Sequence, residues 1–198
     1  MIRPVVTGQP VLSPVMLIGQ APGVREGPAG KPFAWTAGKT MFGWFEQIGL
    51  TEEQFRERVY MAAVCRCFPG KAQGKGGGDR VPSSEEIERC SRHLVAEARL
   101  LQPRLVIPVG KLAIEQLLPD AKQLVDVVGT VQRASLGSVS FDVIALPHPS
   151  GASTWHRTEP GKTLLVRALS KIAGHDAWQE LLAPAPRHSA ARVTEAHP

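Results

Sequence analysis

The sequence predicts an α/β fold, a three-layer α/β/α sandwich built on a short, central, four-stranded parallel sheet. Three observations predict it. Short apolar runs of strand length alternate with segments of helical periodicity along the whole chain. Three of the four runs end at a turn-forming residue: Val15–Ile18 at Gly19, Leu105–Val109 at Gly110, and Phe141–Leu146 at Pro147. Strands separated by helices pair in parallel, because a helix is the usual crossover between parallel neighbours.

Taken in order, residues 1–14 carry Pro4, Pro10 and Pro14 and read as an irregular lead-in. Val15–Ile18 is the first strand. Thr36–Leu50 places Met41, Trp44, Phe45 and Ile48 on one helical face. Val59–Val64 is the second strand. The stretch from Phe68 to Val81 is rich in glycine and carries Lys71, Lys75 and Arg80, the composition of a flexible surface loop. Ser83 and Glu86 then form a capping box, the start signal of a helix whose Ile87, Cys90, Leu94, Ala98 and Leu101 share a face. Leu105–Val109 is the third strand, with a short helix through Leu117. Phe141–Leu146 is the fourth, and a last helix covers 162–173, with a possible continuation past Gly174. One domain over 1–183 is expected, with a disordered tail over 184–198 rich in Ala and Pro.

The 198 residues are 43% hydrophobic and 21% charged, which excludes a disordered chain. No apolar run reaches the length of a membrane span, and a cytoplasmic, monomeric protein is expected. A net charge of +5 favours a polyanionic partner, although a merely soluble basic surface gives the same number. Cys65, Cys67 and Cys90 form no C-x-x-C pair, and three thiols without a fourth nearby ligand make a poor zinc or iron–sulfur site. No metal and no cofactor are therefore expected. Neither G-x-G-x-x-G nor a phosphate-loop motif occurs, which leaves a small-molecule enzyme of a doubly wound fold without support.

In such sheets ligands bind at the carboxyl ends of the strands, where two segments stand out. Gly19-Gln20-Ala21-Pro22-Gly23 is a tight turn that points backbone amides into a cleft, and a turn without a catalytic role has the same composition. His148 lies between Pro147 and Pro149, placed either to donate to a developing oxyanion or to serve as a structural histidine at a loop entry. The small residues Ser150, Gly151, Ala152 and Ser153 allow a phosphate close to the backbone.

Together these segments resemble the uracil-DNA glycosylase superfamily. Gly19–Gly23 resembles its first signature and His148-Pro149-Ser150-Gly151 its second. Gly30-Lys31-Pro32-Phe33 with Ala37-Gly38, and Cys67, Arg80-Val81-Pro82, Glu86 and Cys90, resemble the branch that usually holds a [4Fe–4S] cluster. The similarity runs from about residue 16 to 173. It implies hydrolysis of the N-glycosidic bond of a deoxyuridine flipped out of DNA, other deaminated bases being open. The partner it implies is uracil-containing DNA, and the product free uracil. His148 matches the histidine that bonds the uracil O2, and Phe33 the aromatic that stacks on the base, though Phe33 equally suits a core. Gly19, Gln20 and Ala21 would line the base. Ala21 stands where the best-known branch has a water-positioning aspartate. Glu26 matches the acidic residue of the iron–sulfur branch and either holds that water or is a solvated loop carboxylate. Ala63 stands where the family usually has an asparagine that reads the base edge. Gln20 or a backbone amide then reads it, or the specificity differs from uracil. Cys67 and Cys90 match two of four cluster ligands, and residues 1–18 contain no cysteine, so no cluster is expected. DNA contacts are expected from Lys71, Lys75, Arg80, Ser150, Gly151, Ser153, Trp155 and Arg157. A non-catalytic binder of damaged DNA is the rival reading, favoured by Ala21 and Ala63 and opposed by His148 and Glu26.

Overall fold

The computed structural model describes residues 1–74 and 78–183; Lys75 and the segment 184–198, for which a phosphate contact and a tail are expected, lie outside the described residues. In chain order the elements are β1 (Val15–Gly19), α1 (Glu26–Ala29), α2 (Thr36–Glu46), α3 (Glu52–Arg58), β2 (Tyr60–Ala63), α4 (Ser84–Leu101) and β3 (Leu105–Pro108). There follow α5 (Lys111–Leu117), α6 (Leu124–Val127), β4 (Gln132–Leu136), β5 (Val139–Val143), a 3-10 turn at Trp155–Arg157, α7 (Gly161–Ala173) and α8 (Asp176–Leu182).

The architecture is α/β, as the alternation of elements predicts, but the sheet has five strands in the order β2-β1-β3-β5-β4. The first four are mutually parallel, and β4 runs antiparallel to β5 along its edge. The expected count of four is corrected by β4. Its residues Gln132–Leu136 are polar or half-exposed and carry no apolar run. They become a strand by pairing with β5 through a two-residue turn whose Gly137 takes φ +61°, a conformation open to glycine. The pairing also moves the start of the last parallel strand back from Phe141 to Val139.

β1 and β3 are fully buried on both faces, as parallel strands between helical layers must be. On one side α2 buries Met41, Phe42, Trp44 and Phe45. Phe45 lies 4.3 Å from Phe55 and 5.5 Å from Trp178, ring centre to ring centre, and the Trp178 indole N–H donates to the Ile48 carbonyl at 3.1 Å. On the other side α4 sets Leu94 and Ala98 against Met16, Ile18 and Val106, with Ile87, Cys90 and Leu101 at the margin. The Ser83–Glu86 capping box is formed in full. The expected Thr36–Leu50 helix ends at Glu46, because a second capping box, Thr51 with Gln54, starts α3. Past Gly174 the chain does not continue α7 but restarts as α8, with the His175 ring accepting from the Ala177 amide at 3.1 Å.

Candidate active site

The parallel strands β2, β1, β3 and β5 end side by side, and the chemistry-bearing segments leave from those ends. Gly19 closes β1 directly opposite Ala63 at the end of β2. Gly110 follows β3 and donates its amide to the Leu146 carbonyl at 2.9 Å, two residues before His148. Between them opens a cleft of about 490 Å³, walled by Gln20, Glu26, Phe33, Ala63, His148 and Ser150 among others. That volume lies within the usual range for small-molecule sites, roughly 300–1,000 Å³. Gly19, Ala21, Arg80 and Ala152 also reach it.

Glu26 opens α1 and turns back toward the first signature. Its carboxylate accepts the Gly23 amide at 3.0 Å. Burial raises its pKa above the ordinary glutamate value, and the amides of Gly23, Phe33 and Ala34 and the Arg56 guanidinium offset only part of that rise. A carboxylate so placed is a proton acceptor stronger than a solvated one.

Phe33 stands in left-handed backbone, φ +52°, which is uncommon for an aromatic residue. Two features hold it there. Arg56 donates to the Pro32 carbonyl at 2.9 Å and to the Phe33 carbonyl at 3.2 Å. Gly38 leaves room for that carbonyl, since a Cβ at Gly38 would fall 1.8 Å from the Phe33 oxygen. The tip of the Phe33 ring approaches Gly19 so closely that a Cβ there would lie 3.0 Å from it. The ring is thus wedged at the end of β1, part against the core and part on the cleft wall. Neither Arg56 nor Gly38 is legible as a support from sequence alone: Arg56 reads as the partner of Glu52 one helical turn away, which it also is, at 2.9 Å.

His148 accepts the Ser150 amide on Nδ1 at 3.2 Å. A neutral ring so held carries its proton on Nε2, which is left as a donor. Burial lowers its pKa, and the neighbouring His156 lowers it further, so the neutral form is favoured. Gly110, at φ +85°, lets the ring sit: a Cβ there would come within 2.9 Å of the His148 Cδ2.

The expected DNA contacts are more scattered. Ser150 lies on the cleft, with Gly151 and Ser153 on the turn behind it. Trp155 is half-buried against the core, its ring within 2.7 Å of where a Gly161 Cβ would stand, while Arg157 is exposed. In the glycine-rich loop Lys71 pairs with Asp79 at 2.8 Å. Arg80 forks onto Glu86 with two bonds of 2.7 Å, holding that carboxyl well below the usual range. Asp79 also accepts the Val24 amide at 3.2 Å and so ties this loop to the first signature.

The donor set does not suit an iron–sulfur cluster. Cys67 and Cys90 are half-buried, and burial beside Cys90 pushes the third thiol, Cys65, up to about 12. Among the described residues no three His, Cys, Asp or Glu side chains are grouped to hold a metal.

Residues 6–173 match the family model of the uracil DNA glycosylase superfamily. The chain is similar to the Type-4 uracil-DNA glycosylase of Pyrobaculum aerophilum, 29% identical over 140 residues, which cover 69% of this chain and 66% of that protein. It is similar to that of Archaeoglobus fulgidus, 29% over 140 residues, covering 69% and 65%. With that of Saccharolobus solfataricus it shares 27% over 143 residues, covering 70% and 61%. The chain thus spans a little under two thirds of the length of these curated relatives. Among the described residues no helix is long and apolar enough to cross a membrane.

Proposed function

Because the chain belongs to the uracil-DNA glycosylase superfamily, we propose that it is a monofunctional DNA glycosylase that removes uracil from DNA in base-excision repair. The observation that carries this reading is the Ser150 amide on His148 Nδ1, which reserves a neutral Nε2–H donor for the cleft. Deoxyuridine must leave the base stack before its glycosidic bond is reachable. In the cleft the base would lie against Phe33. As the C1′–N1 bond breaks, its electron pair goes to uracil, and negative charge gathers on O2, where the His148 Nε2–H meets it. The sugar becomes cationic. The Glu26 carboxylate orients a water toward C1′ and takes its proton, and the product is an abasic site with free uracil.

Ala63 offers the base edge no hydrogen bond. Discrimination against cytosine then falls to Gln20 on the same wall, or to the backbone amides around it.

A uracil-containing oligonucleotide incubated with the protein and then heated in alkali should break at the uracil position. An oligonucleotide that is bound and stays intact would instead identify a non-catalytic binder of damaged DNA, the reading that Ala21 and Ala63 favour. Phe33→Ala should reduce excision by about 1–3 kcal/mol of lost base stacking. If the variant only melts earlier and keeps its activity when folded, Phe33 serves the core alone.

A further inference from the structure

Trp35 is the one exposed aromatic side chain among the described residues, 53% accessible, whereas Trp44 and Trp178 are buried and Trp155 is half-buried. It stands on the rim of the cleft beside Arg25, whose guanidinium lies 4.6 Å from the centre of its ring. Its backbone is anchored: Trp35 is the N-cap of α2, its carbonyl accepting the Lys39 amide at 3.1 Å. An exposed indole at the mouth of a cleft offers a large, flat face on which a ligand ring can stack. The cations around it differ from those of the glycine-rich loop. Lys71 and Arg80 are neutralised by Asp79 and Glu86. Among the described residues no carboxylate pairs with Arg25, and none pairs with the exposed Lys31 and Lys39 on the same stretch of chain.

We propose that Trp35 and Arg25 form a subsite for the nucleotide next to the extruded one, Trp35 stacking on its base and Arg25 meeting its phosphate. Three observations converge on this occupant. The platform is continuous with the cleft that takes the target base. Base–aromatic stacking tolerates any sequence, as a flanking position requires. Among the described residues that line the cleft, Arg25 is the cation without a carboxylate partner, and it lies against the ring. The Arg25 guanidinium covers one face of the ring, which leaves the other face for a base and the guanidinium N–H donors for a phosphate. The inference rests on the glycosylase reading for the identity of the polymer, and its test separates the two.

The test is a cycle between protein and substrate. Single-stranded DNA oligonucleotides carry one deoxyuridine and have either the 5′ or the 3′ neighbouring base replaced by a stable abasic analogue. Half-saturation in single-turnover excision is measured for the wild type, Trp35→Ala and Trp35→Phe. Removing one of the two neighbours should weaken the wild type by about tenfold. Trp35→Ala should weaken the intact oligonucleotide by a similar factor and be indifferent to the loss of that same neighbour. The loss should fall on half-saturation rather than on the maximal rate, and Trp35→Phe should restore most of it. Arg25→Gln should flatten the salt dependence of binding by about 0.7–0.9 in the logarithmic slope, one phosphate's share. If the effects of Trp35→Ala and of each neighbour simply multiply, or if Trp35→Ala binds like the wild type, the subsite does not exist. If no uracil is released at all, the same cycle read by fluorescence anisotropy decides the matter: coupling there keeps the subsite and discards only the excision reading.

Discussion

Replacing His148 with alanine is expected to slow single-turnover uracil excision by about 10²- to 10³-fold, the usual cost of removing a preorganised donor to a developing oxyanion. The affinity for uracil-containing DNA should change little, because the bond matters when charge reaches O2 and not before. His148→Asn should keep part of the rate, since its amide can donate. The geometry explains why a neutral ring suffices: Ser150 occupies Nδ1, burial disfavours the imidazolium, and Nε2–H remains. A proton added at Nδ1 would set two donors against each other at Ser150, so acid should be doubly harmful there. Equal single-turnover rates in wild type and His148→Ala would remove His148 from the mechanism. Lost DNA binding together with a lower Tm would make it a structural histidine.

Glu26→Gln is expected to cost on the order of 10²–10⁴ in rate, the range of a positioned general base. The amide keeps an acceptor for the Gly23 N–H, so the turn before α1 should persist and the loss should be chemical rather than structural. The pH profile checks the assignment. On the proposed mechanism, catalysis needs Glu26 ionised and His148 neutral, and both conditions fail as pH falls. Burial raises the Glu26 pKa, so the wild-type acid limb should begin above the ordinary glutamate value of 4.5. Glu26→Gln should lose that limb, and whatever acid sensitivity remains should belong to His148 and lie below the ordinary imidazole value of 6.5, since its shift is downward. A Glu26→Gln variant with the wild-type rate and profile would return Glu26 to the status of a loop carboxylate.

The parts of the fold that were legible in the sequence are those where local and tertiary preferences agree. The buried strands around Val15–Ile18 and Leu105–Val109 are apolar throughout, and the Ser83–Glu86 box announces α4 before any packing is considered. β4 was hidden because an edge strand buries only half its surface and Gln132–Leu136 has no apolar run to mark it. Thr51 and Gln54 carry the same capping signal as Ser83 and Glu86, but the short α3 buries only Phe55, so no apolar spacing follows the signal to mark a helix. At the site, the resemblance to the glycosylase superfamily points to Glu26, Phe33 and His148, and the three line one cleft. Their supports were out of reach. Arg56 grips carbonyls 23 and 24 residues away, and the Arg80–Glu86 pair, six residues apart, spans a turn that no helical or strand period predicts. Composition alone makes the loop of Lys71 and Arg80 look like free positive charge, whereas both are paired, and Arg25 stands on the rim with no local sequence signal to mark it.

The most direct measurement is of both products at once. Excess protein is mixed with an oligonucleotide bearing one uracil, free base is identified by chromatography, and alkali-labile sites are counted in the same sample. One free uracil is expected for each abasic site, none from a matched cytosine-containing strand, and near-complete loss of both products with His148→Ala. Strand binding with neither product, under conditions where the protein is folded, would contradict the glycosylase reading.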